Sequence, residues 1–186
     1  MEALENLASK IRVCKLCDLS TKRKIAVPGE GPNASKLFIV GEAPGRFEDE
    51  QGKPFVGMSG RFLNRYLELA GLNRSDTFVT NAVKCRPPNN RKPDEFEIIT
   101  CRPYLIEQIS LVKPKIILAL GTSAASSIGM KFEHISEIRG RLMEVSLSSI
   151  NLKVFVTYHP SFPMRFKKPR PIFLEDLKEV RRILNA

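Results

Sequence analysis

Short apolar runs alternate along the chain with longer segments whose apolar residues recur at helical spacing. The runs are rich in β-branched and aromatic residues, which favours buried β-strands. We predict strands over residues 36–40, 77–81, 115–120 and 153–158. Because strands that alternate with helices are typical of βαβ units, the pattern predicts a three-layer α/β/α sandwich around a central four-stranded, mostly parallel sheet.

Helices are predicted where apolar residues share one helical face. The later helical segments are 61–70, 94–100, 104–112, 122–129 and 172–184. Residues 94–112 are divided into two helices because proline is favoured in a first helical turn and disfavoured inside a helix, and Pro103 lies between them. The N-terminal segment has Leu4, Leu7 and Ile11 at helical spacing but no long apolar core. It therefore resembles neither a signal peptide nor a membrane span, and we expect a cytoplasmic protein without membrane association.

Polar and turn-forming residues follow every predicted strand. They are Gly41-Glu42-Ala43-Pro44-Gly45, Asn81, Gly121-Thr122-Ser123 and His159-Pro160-Ser161. In an open parallel sheet the carboxyl ends of the strands meet at one edge, which is where ligands bind. The sequence therefore predicts a functional site built from these four exits.

Size and charge narrow the class of protein. The 186 residues, 42% of them hydrophobic, are enough to bury the core of one domain over residues 1–186. The formal net charge is +10, which favours a polyanion such as nucleic acid, because neutralising phosphates releases counterions. A basic surface kept for solubility is the alternative.

The cysteines form a second candidate site. The chain has four, of which Cys14 and Cys17 form a C-x2-C pair, and Cys85 and Cys101 flank a segment rich in Pro, Asn and Arg. Four thiolates from separate segments can hold a zinc ion or an iron–sulfur cluster, and the spacing does not separate the two. Ordinary buried thiols and disulfides are further alternatives. Several basic residues that could offset thiolate charge are close in sequence: Lys15, Lys22, Arg23, Lys24, Lys84, Arg86, Arg91 and Arg102.

Three side chains near the strand exits suit a pyrimidine base. The carboxamide of Asn81 offers a donor and an acceptor side by side, which matches the imide edge of a pyrimidine. Phe55 lies in a loop rich in glycine and proline, where an aromatic ring can stack on a base. His159 can donate to an oxygen that gains negative charge. The structural alternatives are an Asn81 tied to local backbone, a Phe55 that caps the core and a His159 with no chemical role.

The same segments resemble family 4 of the uracil-DNA glycosylases. The matching segments are GEAPGRFED at 41–49, GKPFVG at 52–57, NAVKCRPP at 81–88, LG at 120–121, RG at 139–140 and TYHPS at 157–161. The cysteines match the ligands of the [4Fe-4S] cluster of that family. The resemblance covers nearly the whole chain and implies monofunctional hydrolysis of the glycosidic bond of deoxyuridine, which releases uracil and leaves an abasic site.

The resemblance also implies roles for single residues. The backbone of Glu42 and Ala43 should face uracil, Phe55 should stack on it, and Asn81 should read its edge. His159 should bond the uracil oxygen that becomes charged. The loop that contacts DNA should comprise Ser161, Phe162, Pro163, Met164 and Arg165. The expected partner is uracil-containing DNA, single- or double-stranded, and a sliding clamp or another repair protein is a candidate partner of an expected monomer.

Two positions depart from relatives. Ala43 stands where more distant uracil glycosylases have an aspartate that handles water, which leaves Glu42, Glu48 and Asp49 as candidates. Gly45 stands where relatives have a tyrosine that blocks the thymine methyl group. A lyase step is not expected, because no lysine occupies a motif position, and Lys84 is interpreted as a phosphate contact. The competing hypotheses are a zinc-stapled nucleic-acid-binding module and a Rossmann-like nucleotide enzyme, and the poor phosphate fingerprint disfavours the latter.

Overall fold

The computed structural model describes residues 2–186, which fold around a five-stranded sheet. The strands are β1 (Leu37–Gly41), β2 (Thr77–Asn81), β3 (Ile116–Leu120), β4 (Leu142–Leu147) and β5 (Ile150–Thr157). Their order across the sheet is β2-β1-β3-β5-β4. β1 pairs in parallel with β2 and β3, and β3 pairs in parallel with β5, so the predicted parallel core is confirmed.

Helices cover both faces of the sheet. They are α1 (Glu2–Arg12), α2 (Leu19–Lys22), α3 (Arg46–Gln51), α4 (Met58–Leu69), α5 (Glu95–Val112), α6 (Thr122–Ser127), α7 (Ile135–Ile138), α8 (Ser161–Arg165) and α9 (Arg170–Asn185). Leu63 of α4 and Phe173 of α9 pack against one face of the sheet. Leu105 of α5 and Ala124 of α6 pack against the other. The three-layer α/β/α arrangement is therefore confirmed.

The predicted number of strands is wrong, because the sequence analysis missed β4. This edge strand pairs antiparallel with β5 and is only half-buried, so its apolar signal is weak. The two strands are joined by Ser148 and Ser149, which have φ values of 49° and 65°. Two consecutive left-handed residues are typical of a tight hairpin turn, but glycine or asparagine usually marks it. Two serines give no such signal.

The two helices predicted on either side of Pro103 are one continuous helix, α5. Asp94 caps it, accepting a 2.8 Å hydrogen bond from the Glu97 amide. Pro103 lacks the N–H that would bond the Ile99 carbonyl, but both residues are exposed, so water can satisfy that carbonyl. The helix continues because its other face is packed into the core. None of the helices within residues 2–186 is long and apolar enough to span a lipid bilayer.

The carboxyl ends of β1, β2, β3 and β5 are held together by hydrogen bonds that continue beyond the strands. The Ala82 amide donates to the Gly41 carbonyl at 2.9 Å, and the Gly121 amide donates to the Thr157 carbonyl at 2.9 Å. These bonds keep the chain segments that leave the sheet side by side. The four exits that sequence reasoning selected therefore lie at a single edge.

Candidate active site

A cleft of about 480 Å³ opens at this edge of the sheet. Its lining includes every residue expected to bind the base, namely Glu42, Ala43, Gly45, Phe55, Asn81 and His159. Ser161, Met164 and Arg165 of the expected DNA-contact loop also line it. Of the other two loop residues, Pro163 is buried and Phe162 is 41% exposed. The structure thus brings together residues from distant parts of the chain, as expected for a binding site formed by the fold.

Asn81 lies at the bottom of the cleft. It is only 2% exposed, and no hydrogen bond joins its carboxamide to another group within residues 2–186. A Cβ atom on Gly41 would collide with Asn81 Oδ1 and Phe55 Cζ, so a glycine is needed where both side chains approach β1. The structural alternative, a carboxamide tied to local backbone, is therefore not what the structure contains. Its donor and acceptor face the cleft.

Phe55 combines a core position with a place in the cleft. Its ring is 7% exposed and belongs to the cluster that includes Leu63, but it also lines the cleft. Its φ of 56° lies in the left-handed region, which costs a residue of this kind roughly 1–3 kcal/mol. The loop can pack this closely against α4 because Gly60 has no side chain. A side chain there would collide with the Phe55 carbonyl. Such a backbone is retained when the position of the ring matters.

Glu48 ties the first loop of the cleft to the Phe55 loop. Its Oε1 atom accepts a 2.7 Å hydrogen bond from the Gly57 amide, and its Oε2 atom accepts a 3.1 Å bond from the Gly45 amide. Asp49 is buried and accepts from the Lys24 amide at 2.8 Å. Both carboxylates therefore organise loops. Of the three candidates for holding the attacking water, Glu42 remains.

Glu42 is half-buried and faces both Ser123 and His159. The Ser123 hydroxyl donates to Glu42 Oε2 at 2.7 Å, which leaves Oε1 without a hydrogen-bond partner among the described residues. Burial lowers the pKa of His159, and the charge of nearby Glu42 acts in the opposite direction. At neutral pH the cleft therefore contains a neutral imidazole.

The hydrogen bonds of His159 assign its tautomer. The Ser161 backbone N–H, which can only donate, points at His159 Nδ1 from 3.3 Å, and the Ser161 hydroxyl lies 2.8 Å from the same atom. Nδ1 must therefore accept, and the neutral ring carries its hydrogen on Nε2. His159 thus presents an N–H donor from Nε2, which the Ser161 contacts leave free.

Replacing Ser161 with alanine should weaken this arrangement without abolishing it. The backbone N–H still holds Nδ1, so we expect kcat to fall about 2- to 10-fold, the equivalent of one hydrogen bond. The hydroxyl favours the neutral ring, so its loss should raise the pKa of His159 and move the acidic limb of the pH–kcat profile to higher pH. If kcat fell but the acidic limb of the pH–kcat profile did not move, the Ser161 hydroxyl would have no role in holding the His159 tautomer.

The four cysteines converge at a second place, between α1, α5 and the segment after β2. They line one apolar cavity, and all four are free thiols. Burial raises the pKa of the Cys101 thiol to about 11, whereas the charge of Lys84 acts to lower it. Arg23 Nη1 donates to Cys85 Sγ at 2.9 Å. The structure thus has no disulfide among these cysteines, and the half-buried Arg23 and the buried Lys84 are available to thiolates.

The sulfur atoms are not gathered around a single point. Four sulfurs around one zinc ion, each about 2.3 Å from it, lie only about 3.8 Å from one another. Among residues 2–186, no three of the four cysteine sulfurs lie within 4.8 Å of one another.

Known proteins resemble the chain over nearly its full length. Residues 28–181 match the model of the uracil DNA glycosylase superfamily. A type-4 uracil-DNA glycosylase from Saccharolobus solfataricus is 42% identical across 100% of this chain and 88% of the relative. One from Thermotoga maritima is 37% identical across 97% of this chain and 94% of the relative. The chain belongs to the type-4 uracil-DNA glycosylase family.

In this type-4 family member, the interpretation of Lys84 as a phosphate contact is wrong, because Lys84 is buried. The side chain is 1% exposed, and its ammonium donates to Thr80 Oγ1, the Asn81 carbonyl and Gln108 Oε1 at 2.6, 2.8 and 2.8 Å. Three donors meet three oxygens, so the buried charge is fully hydrogen-bonded. Lys84 therefore holds the backbone of Asn81 through a hydrogen bond. It also directly precedes Cys85 in the sequence.

Of the basic residues that are close to the cysteines in sequence, Arg23 and Lys84 line the cysteine cavity in the type-4 structure. Arg91 instead forms a bidentate pair with Glu97, with N–O distances of 2.6 and 2.8 Å. Arg102 donates to the carbonyls of Ser126 and Ser127. The supporting roles of Glu48 and Gln108 were missed, because their partners are distant in sequence. Ser123 lies in the strand exit after β3 that the sequence analysis selected, but its bond to Glu42 was not predicted.

Proposed function

We propose that this chain is a monofunctional uracil-DNA glycosylase that flips deoxyuridine out of DNA and hydrolyses its N-glycosidic bond. The products are uracil and an abasic site, which begins the repair of deaminated cytosine. The observation that carries the proposal is the buried carboxamide of Asn81, which faces the cleft without a protein partner. Type-4 uracil-DNA glycosylase is also what the relatives from Saccharolobus solfataricus and Thermotoga maritima are called.

Base recognition follows from three groups in the cleft. A base inside a duplex cannot reach them, so it must leave the stack at a cost of a few kcal/mol. Phe55 provides an apolar ring face for the flipped base, and the Asn81 amide pairs with the N3–H and the adjacent carbonyl of uracil. Cytosine presents a reversed pattern of donors and acceptors on that edge and leaves the buried carboxamide mismatched.

The reaction breaks the C1′–N1 bond and forms a C1′–O bond from water. The electron pair of the broken bond stays on uracil as an anion, while positive charge develops on the sugar. The His159 Nε2–H is already oriented to donate to the uracil oxygen that gains charge, which stabilises the leaving base without reorganisation. Glu42, whose Oε1 atom is unpaired, orients the water and accepts its proton, and its charge favours the cationic sugar.

The four cysteines would hold the [4Fe-4S] cluster of the family. The thiol donor set, the apolar cavity and the two cations Arg23 and Lys84 all fit such a group. When bound, the cluster supplies a cross-link between α1, α5 and the segment after β2, and the chemistry of base release stays at the strand ends. The formal net charge of +10 suits the phosphates of uracil-containing DNA.

Replacing Glu42 with glutamine tests the assignment of the water. Glutamine keeps the size of the side chain and an oxygen that can accept from Ser123, but it cannot take a proton. We expect kcat to fall about 10²-fold, the lower end for general-base catalysis. The matched control is Glu144→Gln, a change of the same kind on the exposed side of β4. Full activity of Glu42→Gln would mean that another group handles the water.

The whole proposal is tested by incubating purified protein with DNA strands that bear one uracil. The uracil is placed opposite guanine, opposite adenine or in a single strand, and alkaline cleavage at abasic sites reports excision. We expect cleavage at uracil and none at cytosine or thymine in matched strands. Iron and sulfide are measured on the same protein. A brown protein that releases no uracil from any strand would overturn the proposal.

A further inference from the structure

A column of side chains runs from the core to the surface beside the cleft. Its innermost residue is the buried Asp176, which accepts hydrogen bonds from Thr157 Oγ1 at 2.5 Å and from Arg139 Nη1 at 2.8 Å. The Arg139 guanidinium lies over the ring of Tyr158, 5.2 Å from its centroid. Because Asp176 fixes Arg139, and Arg139 covers one side of Tyr158, the first ring of the column is anchored to the sheet.

Two phenylalanine rings continue the column outward. The ring of Phe162 lies 4.9 Å from that of Tyr158, and the ring of Phe166 lies 5.4 Å from that of Phe162, as measured between centroids. Phe162 is 41% exposed and Phe166 is 50% exposed. Both rings therefore keep a large apolar surface in solvent while their inner sides are fixed. Tyr158 directly precedes His159, and Ser161, which directly precedes Phe162, lines the cleft, so the column follows the same chain segment.

Exposed cations lie close to the outer rings in the sequence. Arg165, Lys167 and Lys168 flank Phe166 in sequence, and all three are exposed. None of them belongs to any ion pair formed within the described part of the chain. Arg170 instead holds the loop in place, because it donates to the carbonyls of Pro163 and Met164. Exposed aromatic rings between unpaired cations are the two elements of a surface that binds single-stranded nucleic acid.

We propose that Phe162 and Phe166 form a stacking platform for unpaired bases of the DNA strand that flanks the uracil, with Arg165, Lys167 and Lys168 on its phosphates. The proposal rests on the proposed function in that the strand is the one whose uracil enters the cleft. An unpaired strand offers free base faces, whereas a duplex hides them between neighbouring pairs. The platform therefore favours single-stranded DNA or a locally opened strand over closed duplex.

The test is the binding of a fluorescently labelled oligothymidylate, which contains no uracil, measured by anisotropy. Phe166→Ala should bind about 5- to 150-fold more weakly, the equivalent of ~1–3 kcal/mol for one base stacked on one ring. Phe166→Tyr keeps the aromatic face and should bind within about 2-fold of the unaltered chain. Phe166→Leu keeps an apolar side chain without that face and should lose affinity as Phe166→Ala does.

Phe96→Ala is the matched control, because Phe96 is 66% exposed, lies on α5 and does not line the cleft. Its affinity for the oligothymidylate should be unchanged. Lys167→Gln combined with Lys168→Gln should reduce the slope of log affinity against log salt by about 1.4, which is ~0.7 for each lost phosphate contact. This second variant leaves the rings in place and tests the cations separately.

Unchanged binding by Phe166→Ala, or full binding by Phe166→Leu, would overturn the platform. If the double lysine variant left the slope of log affinity against log salt unchanged, the proposed contacts of the cations with phosphates would be contradicted. Because the probe contains no uracil, the result does not depend on excision. A chain that binds oligothymidylate through Phe166 but releases no uracil would overturn the proposed function and leave the platform intact.

Discussion

Replacing His159 with alanine is expected to lower kcat for uracil release about 10²–10³-fold, with little change in the affinity for DNA. The reason is that Nε2 carries the hydrogen that meets the charge on the departing base, and a single preorganised donor of this kind accounts for a loss of that size. Single-turnover excision from a strand with one uracil measures the effect. DNA contacts outside the cleft are unaltered, so binding of uracil-free DNA should persist.

The second histidine supplies a matched control for this variant. His134 is exposed and lies at the N-terminal end of α7. His134→Ala should excise uracil at the rate of the unaltered chain. Comparable rates for the two variants, whether both fast or both slow, would contradict a specific role for the His159 donor.

Replacing Cys101 with alanine should remove the iron and lower the melting temperature by about 20–40 °C. Structural metal sites contribute ~10 kcal/mol to folding, and each kcal/mol corresponds to roughly 2–4 °C for a chain of this size. Cys101 lies on α5, so its loss frees that helix from the cysteines of the N-terminal segment. The measurements are iron per chain and the unfolding curve.

Ser110→Ala is the control on the same helix, because Ser110 is exposed and bonds only the Ile106 carbonyl of α5. It should retain iron and melt within about a degree of the unaltered chain. If the cysteine site is structural, loss of excision in Cys101→Ala should be accompanied by loss of stability. A Cys101→Ala protein with full stability but no excision would mean that the cysteines take part in the reaction itself.

The sheet core and the edge that holds the cleft could be predicted because both depend on local patterns. Buried parallel strands are nearly continuous apolar runs, such as Ile116–Leu120, and they have no close competitor in the sequence. Once they are recognised as parallel, the rule that strand exits share an edge brings Glu42, Asn81 and His159 together without further information. The resemblance then supplied roles that the spacing alone left open.

What could not be predicted depends on contacts between distant residues. A lysine is nearly always exposed, and nothing near Lys84 indicates that Gln108 on α5 would accept from its ammonium. Glu48 was a candidate for handling the water because it belongs to the first motif, where Ala43 replaces the aspartate of relatives. Its two amide partners, Gly45 and Gly57, become neighbours only when the loops have closed. Hydrogen-bond partners of this kind are a property of the fold.

The order of the segments along the chain has a consequence for protein synthesis. All four cysteines precede β3, whereas His159 follows β5, which must insert between β3 and β4. As the chain leaves the ribosome, a complete set of thiols is available well before the catalytic edge can exist. The four thiols can therefore be complete on a growing chain, while the site that excises the base is absent until the last strand has been made.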